Sequence, residues 1–359
     1  MSNVVENTAL NKVLPFYQCS INTSTVSALG NGLINQTFLV KSIEQSFVLQ
    51  QINHHVFKNP QQVINNAELI NKHLQNKKEQ GQYSLEPMWQ ITANHDSPLV
   101  MIDGGYWRAI QFIPNCYTVE AVETKEQAHQ VASAFGLFTS ALSDFPASKL
   151  DEIIPDFHNL DSRLAQLKKA VASDPSQRLL QCQSLVDFCF DQYSFIKKVA
   201  DLVEVLPVQV THNDTKINNL LFNSESKKPI AVIDLDTCMP GFIMHDFGDM
   251  VRTCCSTLPE DGVELDKMQI RMDIFEALSK SYINSFDGKI TQLEQESLVI
   301  GAQLLPFMIG IRFLTDFIDG DNYFHTKHSV HNLERAKNQL QLFHLLNSAE
   351  KELTNIVFA

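Results

Sequence analysis

The feature that most restricts how this chain can fold is a pair of segments in its second half. A polar string, His212-Asn-Asp-Thr-Lys-Ile-Asn-Asn219, is set between two apolar runs, Leu206 to Val210 and Leu220-Leu-Phe222. Further on, Pro229-Ile-Ala-Val-Ile-Asp-Leu-Asp236 is an apolar strand that ends in two carboxylates. Asp234 stands 15 residues past Asn219 (234 minus 219), and a hairpin of that length returns its carboxylate to the same cleft. Taken singly, the string is a polar turn and the acids are a solvated strand end or a helix cap. Neither description accounts for the apolar strand leading into the acids or for their pairing with Asp214.

An Asp followed five residues later by an Asn is the spacing of a kinase catalytic loop. Such a loop aims the carboxylate at an acceptor hydroxyl, while the amide oxygen turns back to a magnesium ion. Asp214 and Asn219 fit those roles. Lys216 is placed to set its ammonium beside a transferring phosphoryl group and neutralise developing charge. Asp234 would complete a magnesium site with Asn219, because a hard cation bridging two phosphates takes oxygen ligands and few protein donors. Asp236, on the same edge, is a candidate ligand for a second ion, and His212 is expected to hold the loop by hydrogen bonds and not to transfer protons.

The rest of the chain supplies a setting for that chemistry. From Thr23 to Ile52 the pattern is strand, glycine turn at Gly30-Asn-Gly32, strand, strand. Asn59-Pro60 opens a helix carrying Val63, Ala67, Ile70 and Leu74 at helical spacing, with Glu68 on it. Leu99 to Ile102 and Tyr106 to Ile110 flank the turn Asp103-Gly104-Gly105. Beyond Pro114 the pattern becomes helical, with capping boxes at Thr124 to Gln127 and Thr291 to Glu294 and helical spans near 175–203 and 265–285. The expected fold is α+β and protein-kinase-like. Residues 1–114 form a small β-rich N-lobe with one helix, residues 115–359 form a large mainly helical C-lobe, and the active site lies in the cleft.

A net charge of −13 argues against non-specific binding to nucleic acid or to an anionic membrane. The start of the chain has no basic segment followed by an apolar core, and the apolar stretch Leu298 to Ile311 is shorter than a bilayer span, so a soluble, cytoplasmic protein is expected. Seven scattered cysteines with neither CxxC pairs nor zinc spacing are expected to be reduced thiols.

These residues resemble the aminoglycoside phosphotransferase and choline kinase superfamily, whose signature is HxDxxxxN followed by a strand ending in Asp. Within it, Thr211 to Asn219, Ile233 to Thr237, Met239-Pro-Gly241 and Asp246-Phe-Gly-Asp249 look like the bacterial N-acetylhexosamine 1-kinases. So do Gly32 to Asn35, Val48 to Gln51, Asp156-Phe-His158, Arg312 to Asp316 and Gly320 to Phe324, so that the resemblance runs from about residue 28 to about residue 335. It implies transfer of the ATP γ-phosphate to the anomeric hydroxyl of N-acetylglucosamine or N-acetylgalactosamine, with ATP and Mg2+ as cofactors. It further implies that Asp246 anchors the catalytic loop, and that His158, Arg312 and Tyr323 contact the sugar.

Gly30, Gly32, Asn35 and Gln50 are the candidate nucleotide contacts, with Phe112 and its neighbours as the hinge whose backbone meets adenine. The loop has Asn35 where a third glycine would fall, so by itself it reads equally as a hairpin turn. Gln50 occupies the position where kinases place the strand lysine that pairs with a helix glutamate, which leaves Glu68 without that partner. Leu33 replaces an expected polar residue. Arg312 could instead cap a helix or pair with Asp316, and Tyr323 could simply pack. The competing functions are a kinase for another acceptor, such as an aminoglycoside, choline or homoserine, and a nucleotide-binding regulator without catalysis.

Overall fold

A computed structural model describes residues 2–30, 34–94 and 96–359. Two compact units emerge: Met1–Tyr117 with Ser148–Ile154 and Leu221–Met239, and Thr118–Ala147 with Pro155–Leu220 and Pro240–Ala359. The expected division at 114 thus falls at Tyr117, and the hairpin that leads to Asp234 belongs to the first unit, whereas the expectation grouped it with the catalytic loop.

The first unit is built on an antiparallel sheet. Its strands run in the order Ser24–Ala28, Gln36–Ser42, Ser46–Ile52, Gly105–Gln111 and Gln90–Ile91, and Leu99–Ile102 also pairs with Gly105–Gln111. Alternation sets which side chains turn inward: Phe38, Val40, Phe47, Leu49, Trp107 and Ala109 form the core together with Leu10, Val13 and Leu14 from the N-terminal helix and the turn after it. Gly30 has φ +73°, a left-handed turn that favours glycine, and the hydrogen bond from Leu29 N–H to the Thr37 carbonyl closes the loop around it. Gly32 and Leu33 lie outside the described residues.

The helix Pro60–Glu79 begins with Pro in its first turn, as expected, and buries Val63, Ala67, Ile70 and Leu74. Glu68 faces solvent. The buried polar positions on this helix are Asn66 and Asn71. Asn66 donates to the carbonyls of Asp151 and Cys238 at 2.8 and 3.0 Å and accepts from Asp151 N–H at 2.9 Å, tying three segments of the unit together.

The second unit is helical. Both capping boxes form, at Thr124 before Lys125–Ala141 and at Thr291 before Gln292–Asp319. The span expected near 175–203 is two helices, Gln183–Phe190 and Tyr193–Val203. A further helix, Leu160–Ser173, starts where the Asn159 side chain accepts from Ser162 N–H. Gln292–Asp319 is long and apolar enough to cross a membrane, yet 83% of its most apolar window is buried within the protein. It is therefore the core helix of the unit, carrying Phe307, Phe313 and Phe317 against Leu340 and Phe343. Ile243–Cys254 lies directly on it: a Cβ added to Gly248 would overlap the Gly301 carbonyl, and one added to Gly301 would overlap that of Met244. This close approach fixes the helix that carries Asp246 and Asp249.

Candidate active site

In the second unit, the catalytic-loop candidates form one connected cluster. The loop leaves the strand Gln209–Thr211 and passes through Asn213, which takes the left-handed conformation at φ 65°. A non-glycine residue there is strained by about 1 kcal/mol or more and needs its surroundings to hold it. Asp246 provides the hold. Its carboxylate accepts the backbone N–H groups of His212 and Asn213 at 2.9 and 2.7 Å, and its carbonyl accepts from the Thr215 hydroxyl at 2.6 Å. Burial pushes the Asp246 carboxyl up to about 7, against the lowering effect of those two N–H donors.

His212 is fully buried edge-on to Phe135 and Phe138, with ring centroids 5.4 and 5.8 Å away. Its Nδ1 accepts from Asp214 N–H at 3.3 Å, the structural task expected of it.

Asp214 sits at the centre of the cluster. Asn219 donates its amide to the Asp214 carbonyl at 2.8 Å and to its carboxylate at 2.9 Å, and Lys216 Nζ stands 2.8 Å from the other carboxylate oxygen. Two acceptors on one amide nitrogen fix its orientation, so the Asn219 oxygen is turned to the opposite side. Burial acts to raise the Asp214 carboxyl, but the Lys216 ammonium and the hydrogen bonds outweigh it, so the group lies below the ordinary carboxylate range. Lys216 is raised, mainly by Asp214, and remains charged.

Around this cluster lie His158, Arg312 and Tyr323. His158 Nε2 is 3.3 Å from the Asn213 carbonyl, and its ring packs against His245 at 4.9 Å. Burial pushes both histidines down, His245 to about 3, so both are neutral at pH 7. Arg312 neither caps a helix nor pairs with Asp316. Asp316 instead accepts the N–H groups of Asn322, Tyr323 and Phe324 at 2.8–2.9 Å, pinning the loop after the core helix. That loop presents Tyr323 and Phe324 to Arg312, whose guanidinium lies 5.3–5.6 Å from the rings of Phe157, Tyr323 and Phe324. Its polar contact is a long one, 3.5 Å to the Tyr323 hydroxyl, and no carboxylate lies within ion-pair distance among the described residues.

The sequence assigned no role to Asp249, Arg252, Glu260 and Arg335, which form a chain that is buried at Asp249 and Arg252 and half-buried at Glu260. Asp249 Oδ1 accepts from Arg252 at 2.8 Å, Arg252 bonds Glu260 at 2.7 Å, and Glu260 bonds Arg335 at 2.6 Å. The other Asp249 oxygen is buried without a hydrogen bond. The i, i+3 spacing of Asp249 and Arg252 on one helix was the available signal.

In the first unit, Asp234 is exposed and left-handed (φ 60°, ψ 57°), at the mouth of the short turn Leu235–Thr237. Asp236 is buried, and both of its oxygens are engaged: Arg108 Nη2 donates to Oδ1 at 2.5 Å and Asn35 Nδ2 to Oδ2 at 2.7 Å. Asp236, the candidate ligand to a second ion, here forms an ion pair with Arg108. Gln50 accepts from Arg108 Nε and Nη2 at 3.0 and 2.7 Å and donates to Thr37 at 3.1 Å. Phe112 follows the strand Gly105–Gln111 with Lys41 above its ring at 5.9 Å. All seven cysteines are free, six of them buried.

An antiparallel sheet with one long helix, and a helical unit whose loop carries Asp214, Lys216 and Asn219, define a protein-kinase-like phosphotransferase fold. Solved structures agree on the fold. An aminoglycoside phosphotransferase from Alicyclobacillus acidocaldarius superposes with TM-score 0.62 at 13% identity, covering 92% of each chain. A microcompartment-associated aminopropanol kinase gives 0.61 at 15% identity over 97% of this chain and 98% of that one. A choline kinase from Cryptosporidium parvum gives 0.58 at 14% identity, over 99% and 100%. The phosphotransferase enzyme family APH matches residues 25–274, well over half of the chain, and the chain belongs to that family. It is a small-molecule phosphotransferase.

Proposed function

We propose that this phosphotransferase moves the γ-phosphate of ATP to a sugar hydroxyl, the anomeric hydroxyl of N-acetylglucosamine or N-acetylgalactosamine, giving the sugar 1-phosphate in the cytoplasm. The observation that carries the reading is the Asp214 cluster: an ionised carboxylate held by Asn219 and Lys216 on a loop anchored by Asp246. In this reading Asp214 orients the acceptor hydroxyl and takes its proton as the O–P bond forms. A carboxylate below its ordinary range is a weak base, which suits a reaction whose transition state is loose and demands proton transfer late. Lys216 leans on the transferred phosphoryl group.

The donor set suits magnesium. Among the described residues no group of three His, Cys, Asp or Glu side chains is placed to hold a metal alone. In this reading Asn219 and the exposed Asp234 would supply the few oxygen donors that such an ion takes when phosphates complete its shell. When bound, the ion would supply charge neutralisation at the phosphates. Gly30, Gly32, Asn35 and Gln50 would face the nucleotide, and the backbone at Phe112 its base. Solved relatives include one with GDP and one with ADP and spectinomycin.

A neutral acceptor is favoured by Arg312. Choline, aminopropanol and most aminoglycosides carry a cationic amine, and a guanidinium lacking a carboxylate partner repels one. The same guanidinium can donate to hydroxyls or to an acetamide carbonyl, with Tyr323 and Phe324 as an apolar wall. The test is ATP-dependent ADP release with N-acetylglucosamine, N-acetylgalactosamine, choline, aminopropanol, homoserine and kanamycin, with phosphorus NMR of the product. A sugar 1-phosphate is expected. Absence of turnover with either N-acetylhexosamine defeats the sugar assignment, and absence of turnover with every acceptor defeats Asp214 as the centre of catalysis.

A further inference from the structure

The position where a kinase carries its strand lysine holds Gln50, which cannot supply charge. Directly across the sheet, in register with Gln50, stands Arg108 on the strand Gly105–Gln111. The Arg108 side chain is 2% exposed and forks: Nε and Nη2 reach the Gln50 oxygen, while Nη2 also reaches Asp236 at 2.5 Å. Asn35 completes the arrangement from the other carboxylate oxygen and accepts Asn53 N–H at 3.0 Å. Strands distant in sequence thus converge on Asp236, two residues past Asp234.

We propose that Arg108 is a positioning residue: with Asn35 it clamps Asp236, and through it holds the left-handed turn that presents Asp234 to a magnesium–nucleotide complex. The proposal rests on the reading of Asp234 given above. A buried ion pair is a poor source of stability compared with apolar packing, so its value here lies in specifying a geometry. The geometry needs specifying, because Asp234 is a non-glycine residue at φ 60°. A planar fork suits the task, since it addresses an amide oxygen and a carboxylate at once, which a lysine in the same place would not.

The test is the Mg2+ dependence of ADP binding, by calorimetry, in the full-length protein and in Arg108→Met. The variant should need about tenfold more Mg2+ or higher for half-maximal binding, the usual consequence of removing a group that orients a metal ligand. Its affinity for ADP in EDTA should match the wild type, and Arg108→Lys should recover part of the loss. An unchanged Mg2+ requirement overturns the clamp. A lowered requirement overturns it too, because freeing Asp236 would then have created a better metal site. Loss of ADP affinity in EDTA overturns it in favour of direct phosphate contact. If Arg108→Met does not fold, Arg108→Gln keeps a polar group of shorter reach at the same position, and a shift of about threefold or more in the same direction is required of it. Wild-type protein whose ADP binding ignores Mg2+ would overturn the reading of Asp234 and the clamp together; a normal wild-type response with unshifted variants overturns the clamp alone.

Discussion

The loop around Asp214 and the turn around Asp234 each hold a strained, left-handed residue, at Asn213 and Asp234, but they hold it by different means. At the loop, one acidic side chain takes the backbone N–H groups of two successive residues and its own carbonyl takes a third contact. At the turn, the backbone is fixed indirectly, through the side chain of Asp236 gripped by Arg108 and Asn35. Backbone anchoring leaves the side chains of Asp214, Lys216 and Asn219 out of the anchor, bonded to one another. Side-chain anchoring spends one acid, Asp236, so that the other can be presented.

The largest test of this contrast is at the loop. Asp214→Asn keeps the Asn219 contact but removes the charge and the base, and turnover should fall about a thousandfold or more, with nucleotide affinity retained. Full activity in that variant would remove the loop from the chemistry. Asp246→Ala attacks the anchor instead. Two buried N–H groups, those of His212 and Asn213, lose their acceptor, while the Thr139 hydroxyl keeps the Phe135 carbonyl, so stability should drop by about 3 kcal/mol, read from denaturant midpoints, with turnover reduced in the protein that stays folded. A variant as stable as wild type would show that the loop holds itself.

How legible each region was in the sequence follows from the same difference. The loop is a contiguous string whose spacing states its roles, and its anchor lies 33 and 34 residues from the N–H groups that it receives. The clamp joins residues 128 and 201 positions apart, brought together only by the strand register, and nothing local marks Arg108 as other than one polar residue in an alternating strand. The spacing makes Asp236 a candidate metal ligand, but it does not show that the side chain is buried against Arg108. Glu68 shows the same limit, since helical periodicity did not reveal that Asn66 would be the polar residue facing in. The two capping boxes were readable because each is a local exchange between residues three apart.

Acid should separate the regions next, because the neutral histidines stand on the loop side. His245, held at about 3, and His158, held well below its usual range, are unprotonated in the folded chain but bind protons near 6.5 when unfolded. Their contribution is complete above pH 6.5 and is lost as pH falls, at about 1.4 kcal/mol per unit for each. Asp246 runs the other way: raised to about 7, it keeps its proton while the unfolded chain gives one up, so it adds stability as pH falls from about 7 toward 4. One of the two histidine slopes is thereby cancelled. Glu260, lowered to about 2, adds a further loss below about 4.5. Melting curves of the wild type should therefore show a slope of about one proton between pH 6.5 and 4.5 and a steeper one below. His245→Phe should flatten the first segment, and an unchanged slope there would relocate the acid sensitivity.

The smallest effect is expected at the outer edge of the clamp. Thr37 accepts from the Gln50 amide at 3.1 Å, and Gln50 in turn receives Arg108, which holds Asp236, so Thr37 lies three contacts from Asp236. Thr37→Val conserves shape and leaves one half-buried amide N–H without its partner, a loss of about 1 kcal/mol. If the clamp acts through Asp236, the Mg2+ requirement for nucleotide binding should move by about twofold or less, well short of the shift at Arg108, because Arg108 keeps both its fork and its acid. A shift as large as that of Arg108→Met would mean that Gln50 itself, not Arg108, sets the turn, and the contrast between an anchored backbone and an anchored side chain would have to be redrawn around the neutral amide.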